Sequence, residues 1–198
     1  MRCVVVLATI FSLVSCSEFS SPKQEYFFMM CGAGDNLSEF SSTLDTEDDN
    51  GRNLLFSRTP SDETCLHLCG IHGNTGYLKN ILDRVSEDER RELINFRVRE
   101  EKNPLGLNMP VLSWFVYGLH KDAVNLLLES GADANAIFFI ESGELVTCKD
   151  IIDRMLEQSK EGEGSWNEMI EIRRSLESFG GKGYERKTPS KKIEDDDL

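Results

Sequence analysis

Between Thr64 and Gly73 the chain reads TCLHLCGIHG, which places two thiols and two imidazoles within eight residues: Cys65, His67, Cys69 and His72. Groups of these types at this density point to two kinds of chemistry, binding of a borderline metal such as zinc or cycling between thiol and disulfide. Helix geometry tests the first. At about 100° per residue, positions 65, 69 and 72 share one face, whereas His67 points about 200° away from Cys65. Four ligands therefore do not converge from one helix, and zinc would need its fourth ligand from a distant part of the chain. The spacing by itself predicts no metal.

Other stretches with the right residue types lack the right spacing. The chain has three histidines and no HExxH, so a zinc hydrolase is not expected. In GEGSW, 162–166, the second glycine directly precedes the serine and no strand leads into it, which is not a nucleophile elbow. CGAGDN and GIHGNTG contain glycines without a Walker pattern. In DTEDDNGRN, placing Gly51 at the sixth position of a calcium loop puts Thr46 first and Ser57 twelfth. The first ligand and the bidentate glutamate are then missing, and the stretch reads as a solvated acidic loop. Neither an enzyme nor a cofactor is expected.

What positions these residues begins with the bulk numbers. The chain has 198 residues, enough for one domain with appendages, and 22 basic against 35 acidic residues give a formal charge of −13. That charge opposes nucleic acid as a partner, since little would neutralise phosphates, and favours a basic protein. Residues 1–15 read as a targeting signal: Arg2 is its only charge, and a largely apolar run from Cys3 to Val14 is too short to span a bilayer. The run ends Leu13-Val14-Ser15-Cys16. This resembles the bacterial lipobox, which implies cleavage before Cys16, lipidation of Cys16 and, with Ser17 next, sorting to the outer membrane facing the periplasm. Ordinary secretion is the alternative. Export would leave Cys31, Cys65, Cys69 and Cys148 in an oxidising compartment, where pairing is permitted.

Residues 16–24 are polar and read as a tether, 25–182 form the body, and 183–198 have no apolar period and read as a disordered tail. The body repeats. In LHKDAVNLLLESGADANA, 119–136, Val124, Leu127 and Leu128 make an apolar helical stripe, Gly131 ends the helix, and Asp133 and Asn135 start a turn. This stretch resembles the second half of an ankyrin repeat, GHxxVVxLLLxxGADxNA. Thr64 to Cys69 resembles the first half, T-P-L-H-x-A, with Gly73-Asn74 on the family's Gly-His and Tyr77 to Leu82 as the second helix. Weaker copies are YFFMMCGAGDNLSEFSSTL, Tyr26 to Leu44, and VTCKDIIDRMLEQ, Val146 to Gln158, followed by WNEMIEIRRSLESFGGK. A third repeat opens near Pro110 with VLSWFVYG, which carries Phe115 and Val116 where the family has alanines.

Four repeats are thus expected, starting near residues 25, 64, 110 and 147, at intervals of 39, 46 and 37 against about 33 in the family. The excess falls in loops 45–62, 86–109 and 137–146 and in an insert at 159–165. The expected fold is all-α, an ankyrin-repeat solenoid of about four helix-turn-helix repeats with long inter-repeat loops. The resemblance implies that Thr64 caps the first helix, that His67 is structural and bonds neighbouring turns, and that Cys65 and Cys69 fill small buried positions. In the same register Cys31 and Cys69 lie on neighbouring helices and could pair, whereas Cys65 and Cys148 are two repeats apart.

Ankyrin solenoids bind proteins, and the resemblance implies contact through the late positions of each first helix: Ile71 and His72, Tyr117 and Gly118, Arg154 and Met155. The preceding loops add Glu63, Leu107, Met109, Leu145 and Val146, and the acidic loop adds Asp48 and Asp49. The leading expectation is a lipid-anchored periplasmic protein that binds and neutralises a toxin, as an immunity protein does for a phospholipase delivered by type VI secretion, by masking its active site. A secreted effector binding host proteins and a cysteine-based redox or metal sensor are the alternatives.

Overall fold

The computed structural model describes residues 19–184 except 35, 52, 100–101, 103–106 and 163. The expected signal peptide, Cys16 and most of the expected tail lie outside the described residues. The described chain is mostly helical: α1 Pro22–Ala33, α2 Leu37–Thr43, α3 Cys65–His72, α4 Thr75–Leu82, α5 Glu87–Ile94, α6 Val111–Tyr117, α7 Lys121–Glu129, α8 Cys148–Glu157 and α9 Trp166–Ser178, with a 3-10 turn at Leu54–Phe56. One antiparallel hairpin, β1 Phe138–Phe139 and β2 Leu145–Val146, pairs Phe138 with Val146 and Phe139 with Leu145.

Local chemistry sets the helix ends. Ser21 caps α1, its hydroxyl accepting from the Gln24 amide at 3.2 Å, and Pro22 occupies the first helical position, where its missing N–H is no loss. The polar stretch expected to be part of a tether therefore already belongs to the fold from Phe19, whose ring stacks on Phe28 at 5.9 Å. The expected loop 86–109 contains α5, started by a reciprocal capping box in which Ser86 and Glu89 satisfy each other's amides. Thr147 and Asp150 do the same for α8. The turns between paired helices put Gly34, Gly73 and Leu119 at φ 67°, 62° and 58°. Glycine adopts this conformation without strain, whereas Leu119 holds it against a Cβ clash.

The helices pack in two rows. The principal contacts run α1 to α3 to α6 to α8 in one row and α2 to α4 to α7 to α9 in the other, with α1/α2, α3/α4, α6/α7 and α8/α9 joined as pairs. Each pair buries its apolar side against the next, so one core runs through all of them, from Phe27, Phe40 and Tyr77 through Trp114, Phe115 and Leu127 to Ile152 and Ile172. At the first joint Tyr77 stacks on Phe40 at 4.1 Å, and its hydroxyl accepts the Asn36 amide at 2.8 Å.

Two asparagines stitch successive pairs in the same way. Asn95 donates through Nδ2 to the Gly131 carbonyl at 3.0 Å and accepts the Asp133 amide at 2.8 Å. Asn135 repeats the pattern on Gly180 at 3.1 Å and Lys182 at 2.9 Å. Each clamp ties the turn after an outer helix to the preceding pair. Asn135→Ala is expected to destabilise the protein by about 1 kcal/mol, the net worth of exposed hydrogen bonds, and to raise amide exchange at Lys182. Urea unfolding and hydrogen exchange read both effects, and unchanged exchange at Lys182 would refute the clamp.

Candidate protein-binding face

The C-terminal ends of α3, α6 and α8 carry the residues expected to touch a partner. Ile71 and His72 close α3, Tyr117 closes α6, and Arg154 and Met155 stand in the last turn of α8. α3 packs on α6 and α6 on α8; the His120 ring just after α6 meets the Ile71 carbonyl near the end of α3 at 3.2 Å, and Asn108 ahead of α6 accepts the Phe139 amide ahead of α8 at 3.0 Å, so these ends fall along one edge of the row. Ile71, Tyr117 and Met155 are half-buried and rest against the core, which limits their rotamers and presents them as held apolar surface. His72 is exposed. Arg154 pairs with Glu144 at 2.7 Å, tying the hairpin turn to α8. Of the residues on this edge, Tyr117, Met155 and Arg154 are of types that interfaces favour.

Other expected contact residues are turned inward. Glu63, Leu107, Met109, Val146 and Asp48 are all buried. Glu63 faces Thr59, whose hydroxyl donates to Glu63 Oε2 and accepts the Glu63 amide. The Met109 carbonyl takes the His67 ring at 3.4 Å. Val146 is held against Phe138 in the hairpin, and Asp48 folds back to accept the Asn50 amide at 2.8 Å. Gly118 serves packing: a Cβ there would stand 2.4 Å from the His120 ring. Leu145 stays half-buried on β2. Asp49 is exposed but pairs with Lys23 at 3.4 Å, and Asp45 with Arg84 at 3.4 Å, so the acidic loop spends part of its charge internally. Ile137 is exposed beside the hairpin and Ile140 half-buried at its turn, two apolar side chains not among the expected contact residues. The run AIFFI before the polar turn ESGE was the sequence signal for them.

The stretch that first suggested chemistry is structural. Thr64 donates to His67 Nδ1 from its hydroxyl at 2.8 Å and from its amide at 3.2 Å, and Nε2 then carries the proton toward Met109. Burial, opposed in part by the Met109 bond and reinforced by Arg58, holds the imidazole neutral down to about pH 3. Beside it, Asp62 takes the Arg99 guanidinium at 2.8 and 2.9 Å, and the Arg58 guanidinium lies 3.4 Å above the Phe96 ring. Cys31 lies against both Cys65 and Cys69, and all three are buried free thiols, as is Cys148; the possible disulfide between Cys31 and Cys69 is not formed in this structure. Among the described residues no group of three or more His, Cys, Asp and Glu is arranged to hold a metal ion.

Burial pushes the Cys31 and Cys148 thiols well above their ordinary range. All four cysteines are buried, and a thiol reagent at pH 8 is expected to leave them unmodified in native protein and to label them completely in denaturant. Rapid labelling of Cys69 in native protein would contradict the packing of α1 on α3.

Among the described residues no helix is long and apolar enough to cross a membrane. Comparison with protein-family models, with curated proteins and with solved structures finds no match to this chain.

Proposed function

We propose that this chain is an ankyrin-type repeat protein, anchored in the outer membrane through a lipid on Cys16, that binds a protein toxin and neutralises it by covering the toxin's active site. The ankyrin reading is supported by four helix pairs in two rows, by left-handed turn residues at 34, 73 and 119, and by the Thr64–His67 box reaching Met109 of the next pair. The observation that carries the binding role is the edge on which Ile71, His72, Tyr117, Arg154 and Met155 stand together on three packed helices. Such an edge offers large, partly immobilised side chains at low entropic cost on binding. The net charge of −13 favours fast capture of a basic partner.

Purified protein mixed with the products of neighbouring genes should form a tight complex with one of them. Tyr117→Ala and Arg154→Ala should each weaken that complex at least about tenfold, the usual effect of truncating an interface anchor. Cells lacking the gene should become sensitive to that product. Unchanged sensitivity to every neighbouring product would overturn the neutralising role. Fatty-acid labelling of wild type against Cys16→Ser separates the anchored protein from a secreted effector.

A further inference from the structure

Three of the buried thiols meet between the first two helix pairs. Cys31 stands in the third turn of α1, and Cys65 and Cys69 stand one turn apart on α3, the helix that α1 packs against. The Cys31 thiol lies within hydrogen-bonding reach of both. None of the three residues is more than 1% exposed. Cys65 is fixed further by its Sγ, which donates to the Leu55 carbonyl at 3.8 Å. Cys148 belongs to α8, two helices further along the row.

A small apolar side chain at any one of these positions would fill the same space. Three thiols in contact add a reaction. Sulfurs already this near need only close to about 2 Å to bond. A bond from Cys31 to Cys65 or to Cys69 joins α1 to α3, whereas a bond between Cys65 and Cys69 stays within one helix and ties nothing. The bond forms by exchange with an external disulfide, RSSR. The Cys31 thiolate, its proton gone to water, attacks RSSR and gives a mixed disulfide and RS−. The Cys65 or Cys69 thiolate then attacks the Cys31 sulfur and displaces the second RS−. Two protein thiols are oxidised, RSSR is reduced to two RSH, and the two thiol protons end on those products. Access decides when this happens. Once α1 has docked, burial keeps the Cys31 thiol protonated and closed to reagents. The exchange therefore belongs to the folding chain, before α1 and α3 meet.

We propose that Cys31 is a shared thiol that pairs with Cys65 or Cys69 while the chain folds in an oxidising compartment, and that docking of α1 on α3 then seals the bond in the core. The bond secures the first helix pair, which packs principally on one neighbouring pair. The inference goes beyond toxin binding and needs neither a lipid on Cys16 nor a toxin. The test uses the full-length chain with Cys3→Ser and Cys16→Ser, refolded from denaturant in reduced and oxidised glutathione, alkylated, and mapped by peptide mass spectrometry. One disulfide is expected, from Cys31 to Cys65 or Cys69, with Cys148 and the remaining thiol free. Cys69→Ser should move the bond wholly to Cys65, and Cys65→Ser wholly to Cys69. Amide exchange in α1 should be at least about tenfold slower than in the reduced protein, because the bond closes a loop of about 35 residues. Free thiols at all four positions after refolding, a bond between Cys65 and Cys69, or a bond to Cys148 would overturn the proposal. So would native reduced protein that oxidises as fast as the refolding chain.

Discussion

Replacing Glu63 with glutamine should change how stability depends on pH by about 3 kcal/mol. Burial pushes the Glu63 carboxyl up to about 7, helped by the negative charge of Asp62 and opposed by a backbone hydrogen bond. The folded pKa lies above the unfolded value of 4.5, so the folded state holds a proton that the unfolded state has lost. The stabilisation is complete below pH 4.5 and disappears as pH rises through 7, a span of about 2.5 units at about 1.4 kcal/mol each. His67 acts in the opposite sense. Its folded pKa of about 3 lies below the unfolded 6.5, so its contribution is complete above pH 6.5 and is lost as pH falls through 3. Between pH 4.5 and 6.5 the two slopes cancel, and wild-type stability owes no trend to this pair there. Glu63→Gln removes one slope and leaves the other. Urea midpoints should show the variant gaining about 3 kcal/mol on wild type between pH 4.5 and 7.5, and parallel profiles would show that Glu63 is not buried as described.

The same residue marks a limit of reading the chain alone. A glutamate just before a helix reads as exposed, because charged residues are almost never fully buried unless paired. Glu63 is buried because Thr59, four residues earlier in the same turn, supplies both a donor and an acceptor. Nothing in the spacing announces that contact. Asp48 was misplaced for the same reason. The α1 boundary was lost differently. Ser21-Pro22 is a helix start signal, but it lies in a polar stretch where composition suggested a tether. Helix α5 was obscured because EDERRELI has apolar residues only at Leu93 and Ile94, too few for a period to emerge. The second and third helix pairs were legible because their signals are backbone requirements. Gly73 at φ 62° and Gly131 at φ 97° end helices where a Cβ is strained, and Asp133 builds a turn by accepting the Asn135 amide at 2.9 Å. For the candidate face, the late helix positions came from the resemblance rather than from spacing: His72 is exposed there, Ile71, Tyr117, Arg154 and Met155 are half-buried, and Gly118 is packed on His120. Glu63, Leu107, Met109, Val146 and Asp48 were not legible because long-range packing places their side chains.

Gly70→Ala should destabilise the protein by about 1–2 kcal/mol, even though alanine is the better helix former. Gly70 lies inside α3 where that helix crosses α6. A Cβ there would meet the Trp114 Cβ at 2.7 Å and the Phe115 ring at 3.3 Å, against ordinary contact at 3.4 Å or more. The family that TCLHLCG resembles uses small residues where stacked helices touch. Here α6 presents Trp114 and Phe115, both almost fully buried, and α3 answers with no side chain at all. The clash cannot be relieved by rotating a side chain, because a Cβ moves only with its backbone, so the two helices must separate. Overpacking of this kind costs about 1–3 kcal/mol or more, and the change from glycine returns only about 1 kcal/mol of helix propensity. Trp114→Ala keeps the offending Cβ, so the double variant should be at least as unstable as the sum of the two. Gly76→Ala in α4 supplies the opposite case. Its new methyl would meet the Asn74 side-chain oxygen at 3.1 Å and the tip of Leu37 at 3.2 Å, and Leu37 is exposed enough to swing away. That variant should lie between unchanged and about 1 kcal/mol more stable. Urea unfolding should therefore place Gly70→Ala below wild type and Gly76→Ala at or above it. A stabilising Gly70→Ala would mean that α3 and α6 do not approach as closely as this packing requires, and the continuous core through the α1–α3–α6–α8 row would fail with it.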